Sequence, residues 1–251
     1  MIFNDERLDT INDGLMLIQK KNGLTFGTDA YLLFAYMKAK PSAVAADFGA
    51  GTGIISLLSL RKNKFKTVHA IEVQESFSAL CRRNAELNRL SDRMITHYTD
   101  VRSLKAEALG GEVDIVFSNP PYMAPNSGFH NDHDEKFIAR HEVMGSLDDF
   151  CKAANRILKY GGSFYLVYRA DRLCDLLVTL RQNSLEPKRV TFVYNSENHA
   201  PVLVLVEAKK GAAPSLFVTK PLILCDSEGN ESDTIKKIYE IGGFDKQYER
   251  P

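Results

Sequence analysis

Two segments combine residue types that can do chemistry together. Ser118-Asn119-Pro120-Pro121-Tyr122 follows the apolar run VDIVF and closes it with an amide, two prolines and an aromatic ring. Prolines cannot continue a central ladder, because they lack the N–H, so the chain must leave the sheet rigidly there. A strand-ending turn with a packed tyrosine accounts for the prolines. It leaves Asn119, a polar residue following the VDIVF run, unexplained.

The second segment is Asp47-Phe48-Gly49-Ala50-Gly51-Thr52-Gly53, which ends one strand and opens a helix. Glycines let the backbone turn sharply and let a ligand approach closely. Their spacing is G-x-G-x-G with an acid two residues ahead, whereas the dinucleotide fingerprint is G-x-G-x-x-G. Glu72, with Val73 beside it, ends the next strand, and Asp100, followed by Val101, ends the third. A carboxylate placed like Glu72 can accept hydrogen bonds from both hydroxyls of a ribose. A lone glycine turn is often only a turn, and a lone acid is usually solvated. Three such features at the carboxyl ends of successive strands point to a ligand site, because open α/β sheets bind ligands at those ends.

The elements that must position these residues follow from periodicity. Residues 8–26 predict short strands, with turns at Asn12-Asp13-Gly14 and Asn22-Gly23. Thr28 predicts the N-cap of a helix, TDAYLLFAYMKA, closed by Pro41. From Ala43 strands and helices alternate: AVAADFG, GIISLLSLRK, TVHAIEV, QESFSALCRRNAELNRL, MITHYTD and VDIVFSN. The helix QESFSALCRRNAELNRL presents Phe77, Leu80, Cys81 and Leu87 on one face. SLDDFCKAANRILK opens with Ser146 and Asp149 in a capping-box arrangement and is expected to stop at Gly161-Gly162. SFYLVYR and the helix DRLCDLLVTLRQN follow, and then KRVTFVY and VLVLVEAKK with no helix between them. Strands without a crossover helix must pair antiparallel. The prediction is an α/β, doubly wound, mainly parallel sheet of seven strands, ending in an antiparallel hairpin. A single domain is expected over 1–251, with an N-terminal hairpin and helix cap over 1–40 and an appendage over 211–251. That appendage holds one strand-like run, SLFVTKPLIL, a turn at Ser227-Glu228-Gly229-Asn230 and a short helix.

The chain of 251 residues is 44% hydrophobic and 25% charged, ordinary for a soluble globular protein. No apolar run approaches the roughly 20 residues of a membrane span, and MIFNDERLDT does not read as a secretory signal. The 32 basic and 32 acidic residues balance, which counts against a nucleic-acid partner unless the basic residues cluster in the fold. Basic runs such as Arg61-Lys62-Asn63-Lys64 read as solvated faces. Cys81, Cys151, Cys174 and Cys225 lie far apart, as free thiols in a reducing cytoplasm would. The long polar loop after Tyr122, over 123–142, could grip a substrate, with Phe129 as a further aromatic. His130 and His133 lack any further ligand pattern, so no metal is expected.

The loop DFGAGTG, the segment SNPPY and LTFGTDAYLL together resemble the bacterial tRNA adenine-N6 methyltransferases that modify the adenosine beside the anticodon of a valine tRNA. ARHE after the loop and VYRADRL at the fifth strand extend the resemblance over most of the chain. It implies a class I, Rossmann-like methyltransferase fold and S-adenosylmethionine as cofactor. It implies that Asp47, Gly49, Gly51 and Gly53 surround that cofactor, which carries a sulfonium and no phosphate. Glu72 and Val73 would lie at its ribose, Asp100 and the Val101 N–H at its adenine, and Thr28 and Asp29 near its methionine end. SNPPY resembles the motif of enzymes that methylate amino nitrogens conjugated to a ring or a carbonyl. By that resemblance Asn119 and the Pro120 carbonyl accept the target's N–H groups and Tyr122 stacks on the base, while Pro121, lacking an N–H like Pro120, belongs to the rigid exit from the sheet. A protein glutamine-N5 methyltransferase of the release-factor type shares the motif. Such enzymes usually carry an N-terminal helical bundle, and only Met1 to Ser42 precede the first sheet strand here. A binding protein that kept the fold without catalysis is a third reading, opposed by the intact motif.

Overall fold

A computed structural model of the chain describes residues 2–11, 14–21, 27–120 and 145–248. Asn12-Asp13, Asn22-Gly23, Pro121, Tyr122 and the loop over 123–142, with Phe129, His130 and His133, lie outside the described residues.

Short apolar runs become strands. β1 (Glu6–Ile11) and β2 (Leu15–Lys20) form an antiparallel ribbon of their own. The main sheet takes β3 (Val44–Phe48), β4 (Thr67–Glu72), β5 (Met94–Tyr98), β6 (Val113–Ser118), β7 (Leu158–Arg169), β8 (Leu185–Tyr194) and β9 (Pro201–Lys210). Their spatial order is β5-β4-β3-β6-β7-β9-β8. β9 is antiparallel to both neighbours, and the other pairs are parallel. The structure adds two strands to the expected seven. β10 (Phe217–Val218) and β11 (Leu222–Ile223) both pair with β8. The run SLFVTKPLIL is thus divided, and Pro221, with no N–H for a ladder, stands at the break.

The helices are α1 (Thr28–Tyr36), α2 (Ile54–Arg61), α3 (Glu75–Leu87), α4 (Leu147–Ile157), α5 (Leu173–Gln182) and α6 (Asp233–Ile241). Alternation along β3 sends Ala45 into one core and Ala46 and Phe48 into the other. The first core is filled by α1, α2, α3, α6 and β2, and the second by α4 and α5. α1 is buried all round, from Ala30 to Tyr36. Each large apolar side chain so buried contributes about 1.5–3 kcal/mol.

Several expectations need correction. Gly27, not Thr28, is the N-cap of α1, and no side chain caps it. Leu87 is 42% exposed, and the buried face of α3 is Ser78, Leu80, Cys81, Asn84 and Ala85. Gly161-Gly162 does not stop a helix, because α4 ends at Ile157 and β7 begins at once. The glycines sit in a bulge, where the pairing with β6 jumps from Leu158 to Ser163. A Cβ on Gly162 would lie 2.9 Å from the Lys159 carbonyl and 3.0 Å from that of Asp114, so the bulge needs glycine.

The run Arg61-Lys62-Asn63-Lys64 is not simply a solvated face. Lys64 is buried, and its Nζ donates to the carbonyls of Phe34, Ala35 and Met37 at 2.8, 3.2 and 2.7 Å. Buried Arg189 donates to the Tyr36 carbonyl at 2.8 Å. Two cations therefore satisfy the carbonyls left open where α1 ends.

The β1–β2 ribbon is fastened by α3. Asn84 Oδ1 accepts the Ile18 N–H at 2.7 Å, and its Nδ2 donates to the carbonyls of Ile18 and Thr52. Asn88, one turn on, accepts the Met16 N–H and donates to the Met16 carbonyl. The two amides act on β2 as a neighbouring strand would. Arg83 adds a two-pronged bond to Glu6, which holds that carboxyl down at about 2.

Candidate active site at the carboxyl edge of the sheet

β3, β4, β5 and β6 are parallel neighbours, so their carboxyl ends share one edge. The chain runs outward from β3 to β5 and returns on the other side of β3 as β6. The crevice at such a reversal is where open α/β sheets bind ligands.

The glycine loop turns tightly between β3 and α2. Gly49 and Ala50 donate to the Ile71 carbonyl at 2.9 and 3.0 Å. Gly53 caps α2 in the left-handed region, with φ 83°. A Cβ there would strike Met94 Cε and lie 2.8 Å from Cys81 Sγ, so both backbone and space demand glycine. At Gly51, φ 55°, a Cβ would meet nothing within 4 Å, so the main chain faces open space.

Glu72 is the last residue of β4 and is buried. Its carboxylate accepts the Gly51 N–H at 2.9 Å and the Gln74 N–H at 2.8 Å. A carboxylate has about four acceptor positions, so Glu72 fastens the loop with capacity for more partners. Val73 follows, half-buried.

Asp47 is 1% exposed, and its Oδ2 accepts the Ser56 hydroxyl at 2.7 Å. Burial pushes its carboxyl up to about 7, against the pull of the Ser56 bond. Asp100 follows β5 with a partly exposed side chain. Arg102 binds it through main-chain N–H and guanidinium. Burial raises the Asp100 carboxyl, and the Arg102 bonds more than offset this, so the net shift is downward. Val101 is buried, and the stretch after it is braced by Arg156 of α4. That guanidinium donates to the carbonyls of Val101, Arg102 and Leu104.

Asn119 and Pro120 directly follow β6. Ser118 Oγ donates to the Phe48 carbonyl at 2.8 Å, which ties the end of β6 to the end of β3. Asn119 is half-buried, and its Nδ2 donates to Asp29 Oδ2 at 2.9 Å. Pro120 is buried. Thr28, exposed, begins α1 immediately before Asp29. The structure thus joins Gly51 to Glu72 and Asn119 to the start of α1 directly. Asp100 lies beyond β4, at the end of β5. Sequence reasoning missed Ser118, Asn84, Asn88, Arg156 and the Asp29–Asn119 bond. Asn84 and Asn88, polar residues four apart beside the apolar positions Leu80, Cys81 and Ala85, were the available signal.

Among the described residues no group of three or more His, Cys, Asp or Glu could hold a metal, and no helix is long and apolar enough to cross a membrane. The architecture is the class I methyltransferase fold. A predicted O-methyltransferase from Agrobacterium tumefaciens matches it with a TM-score of 0.69 at 19% identity, covering 86% of this chain and 98% of that one. TYW2 of M. jannaschii in complex with AdoMet matches with a TM-score of 0.54 at 17% identity, covering 83% and 87%. The chain belongs to the methyltransferase small domain family, whose model matches residues 21–183. It is 28% identical over 212 residues to the tRNA1(Val) (adenine(37)-N6)-methyltransferase of Porphyromonas gingivalis, covering 82% of this chain and 80% of that protein.

Proposed function

We propose that the chain transfers a methyl group from S-adenosylmethionine to the exocyclic N6 of an adenine in tRNA, the adenosine beside the anticodon of a valine tRNA. The observation that carries this reading is Asn119. It is an amide at the end of β6, on the strand next to the glycine loop, with its nitrogen held by Asp29. The name borne by the Porphyromonas gingivalis relative supports the target. AdoMet in the M. jannaschii structure supports the cofactor.

The residues at the sheet edge fit that ligand. Gly51 leaves main chain facing open space, and Glu72 brings a buried carboxylate beside it, suited to the ribose hydroxyls. Asp47, among Gly49 and Gly53, adds negative potential near a sulfonium whenever it is ionised. Asp100 and the Val101 N–H suit an adenine edge. The exposed Arg102 pair, of a kind worth about 0–1 kcal/mol, yields easily to it. Thr28 and Val73 complete the lining.

S-adenosylmethionine supplies an electrophilic methyl: the carbon–sulfur bond breaks as the nitrogen–carbon bond forms, and sulfur leaves neutral. The target nitrogen is a weak nucleophile, because its lone pair is delocalised into the ring. The Asn119 amide oxygen and the Pro120 carbonyl each accept one of its N–H groups. That grip aims the lone pair and helps the nitrogen pyramidalise. Pro121 belongs to the same motif, and Tyr122 would stack on the base, a contact worth about 1–3 kcal/mol. The nitrogen's surplus proton becomes acidic as the methyl arrives and passes to water. We place this activity in one domain over 1–251, with an N-terminal hairpin and helix cap over 1–40 and an appendage over 211–251. It works in the cytoplasm, off the membrane and without metal.

The test is incubation with methyl-labelled cofactor and two pools, total tRNA and total protein, followed by digestion to nucleosides or peptides. Label in N6-methyladenosine is the expected result. Label on protein glutamine would make the chain a release-factor type enzyme, and cofactor binding without transfer would make it a binding protein. Asn119→Ala should abolish transfer while cofactor affinity persists. Glu72→Ala should weaken cofactor binding by about tenfold or more, the scale of losing a charge-assisted hydrogen bond.

A further inference from the structure

A side-chain amide can sit in two orientations related by a half-turn, and only one turns its oxygen toward an incoming N–H. Asn119 Nδ2 lies 2.9 Å from Asp29 Oδ2. An ionised carboxylate accepts hydrogen bonds and donates none. The amino end of the Asn119 amide must therefore face Asp29, and its oxygen must face away. We propose that Asp29 is a positioning residue for methyl transfer, fixing the Asn119 amide with its oxygen toward the target amino group. This rests on the reading of Asn119 as the acceptor of the target's N–H.

Asp29 is itself held in place. It lies in the first turn of α1, where helix geometry favours an anion, and its Oδ1 accepts the Ala30 N–H at 2.8 Å. The far end of α1 is pinned by Lys64 and Arg189. Its flank is pinned by the Tyr31 hydroxyl, which donates to the Tyr239 carbonyl at 2.9 Å. The carboxylate is presented by a buried helix rather than by a pliable loop.

The bond does two things. It removes the flipped amide, in which an NH₂ group would oppose the substrate's NH₂ and no acceptor would meet the target. It also polarises the amide, since donation from nitrogen into an anion raises electron density on the oxygen and makes it a stronger acceptor. Both effects act on the aligned complex and not on cofactor binding.

The experiment compares Asp29→Ala, Asp29→Asn and Asn119→Ala in steady-state methylation of a transcribed valine tRNA, with cofactor affinity measured by calorimetry. Asp29→Ala should lower kcat by about 10²-fold, the cost of a misplaced catalytic group, with KM and cofactor affinity unchanged. Asp29→Asn keeps an acceptor oxygen for Asn119 and should recover most of that loss. Full turnover in Asp29→Ala, with Asn119→Ala inactive, overturns this inference alone. Turnover in Asn119→Ala overturns the reading of the site and this inference with it. Loss of cofactor affinity in Asp29→Ala, unrelieved by Asp29→Asn, makes Asp29 a cofactor ligand and overturns its positioning role.

Discussion

Asp47 shows how one residue sets a dependence on pH. Folded, its carboxyl is pushed by burial up to about 7, well above its ordinary value of 3.8. Between those values the native state holds more protons than the unfolded chain. The contribution is complete below about 4 and is lost as pH rises through 7, by about 1.4 kcal/mol per unit across the window. Asp47→Asn keeps a neutral partner for Ser56, so its stability relative to the parent should rise between pH 5 and pH 8 in urea unfolding. An unchanged difference would mean that Asp47 is ionised in the native state. The acid itself was legible in the sequence, as the head of the glycine loop. Its burial was not, because nothing in Asp47-Phe48-Gly49 reveals that Ser56 lies beneath the turn. Asn119 was legible for the opposite reason: a polar side chain after VDIVF breaks a pattern. Its partner Asp29 is 90 residues away along the chain, beyond any local signal.

At the scale of elements, α3 couples the ribbon to the cofactor edge. Asn84 serves Ile18 in β2 and Thr52 in the glycine loop at once. Asn84→Leu would leave buried main-chain groups unpaired, at about 1–3 kcal/mol each. The variant should unfold at lower urea and bind cofactor more weakly than Asn88→Leu, which disturbs the ribbon without touching Thr52. Equal cofactor affinities would show that the loop does not depend on Asn84. The alternation of strands and helices was readable because parallel strands are continuous apolar runs bounded by turns. The ends of α1 and α4 were not. α1 stops at Tyr36, where Lys64 and Arg189 donate to its last carbonyls, and α4 stops before the glycines because β7 has already begun to pair with β6. Tertiary partners override local stop signals in both cases.

For the whole molecule, neutrality bears on how the proposed tRNA substrate would be held. Arg83 is committed to Glu6, Arg93 to the Phe65 and Lys66 carbonyls, Lys210 to the Leu158 carbonyl, and Lys64 to α1. A protein touching about four phosphates loses about tenfold in affinity for each doubling of salt. Fluorescence titration of tRNA at increasing salt should give a real but smaller loss here. A flat response would count against an RNA substrate. The placing of β9 between β7 and β8 has a further consequence, for synthesis on the ribosome. Until residues 201–210 emerge, β7 carries a bare hydrogen-bonding edge beside an apolar face, a template for any other extended chain. The cofactor edge can assemble early, but the nascent protein stays adhesive until its last long strand slides into the gap and seals it.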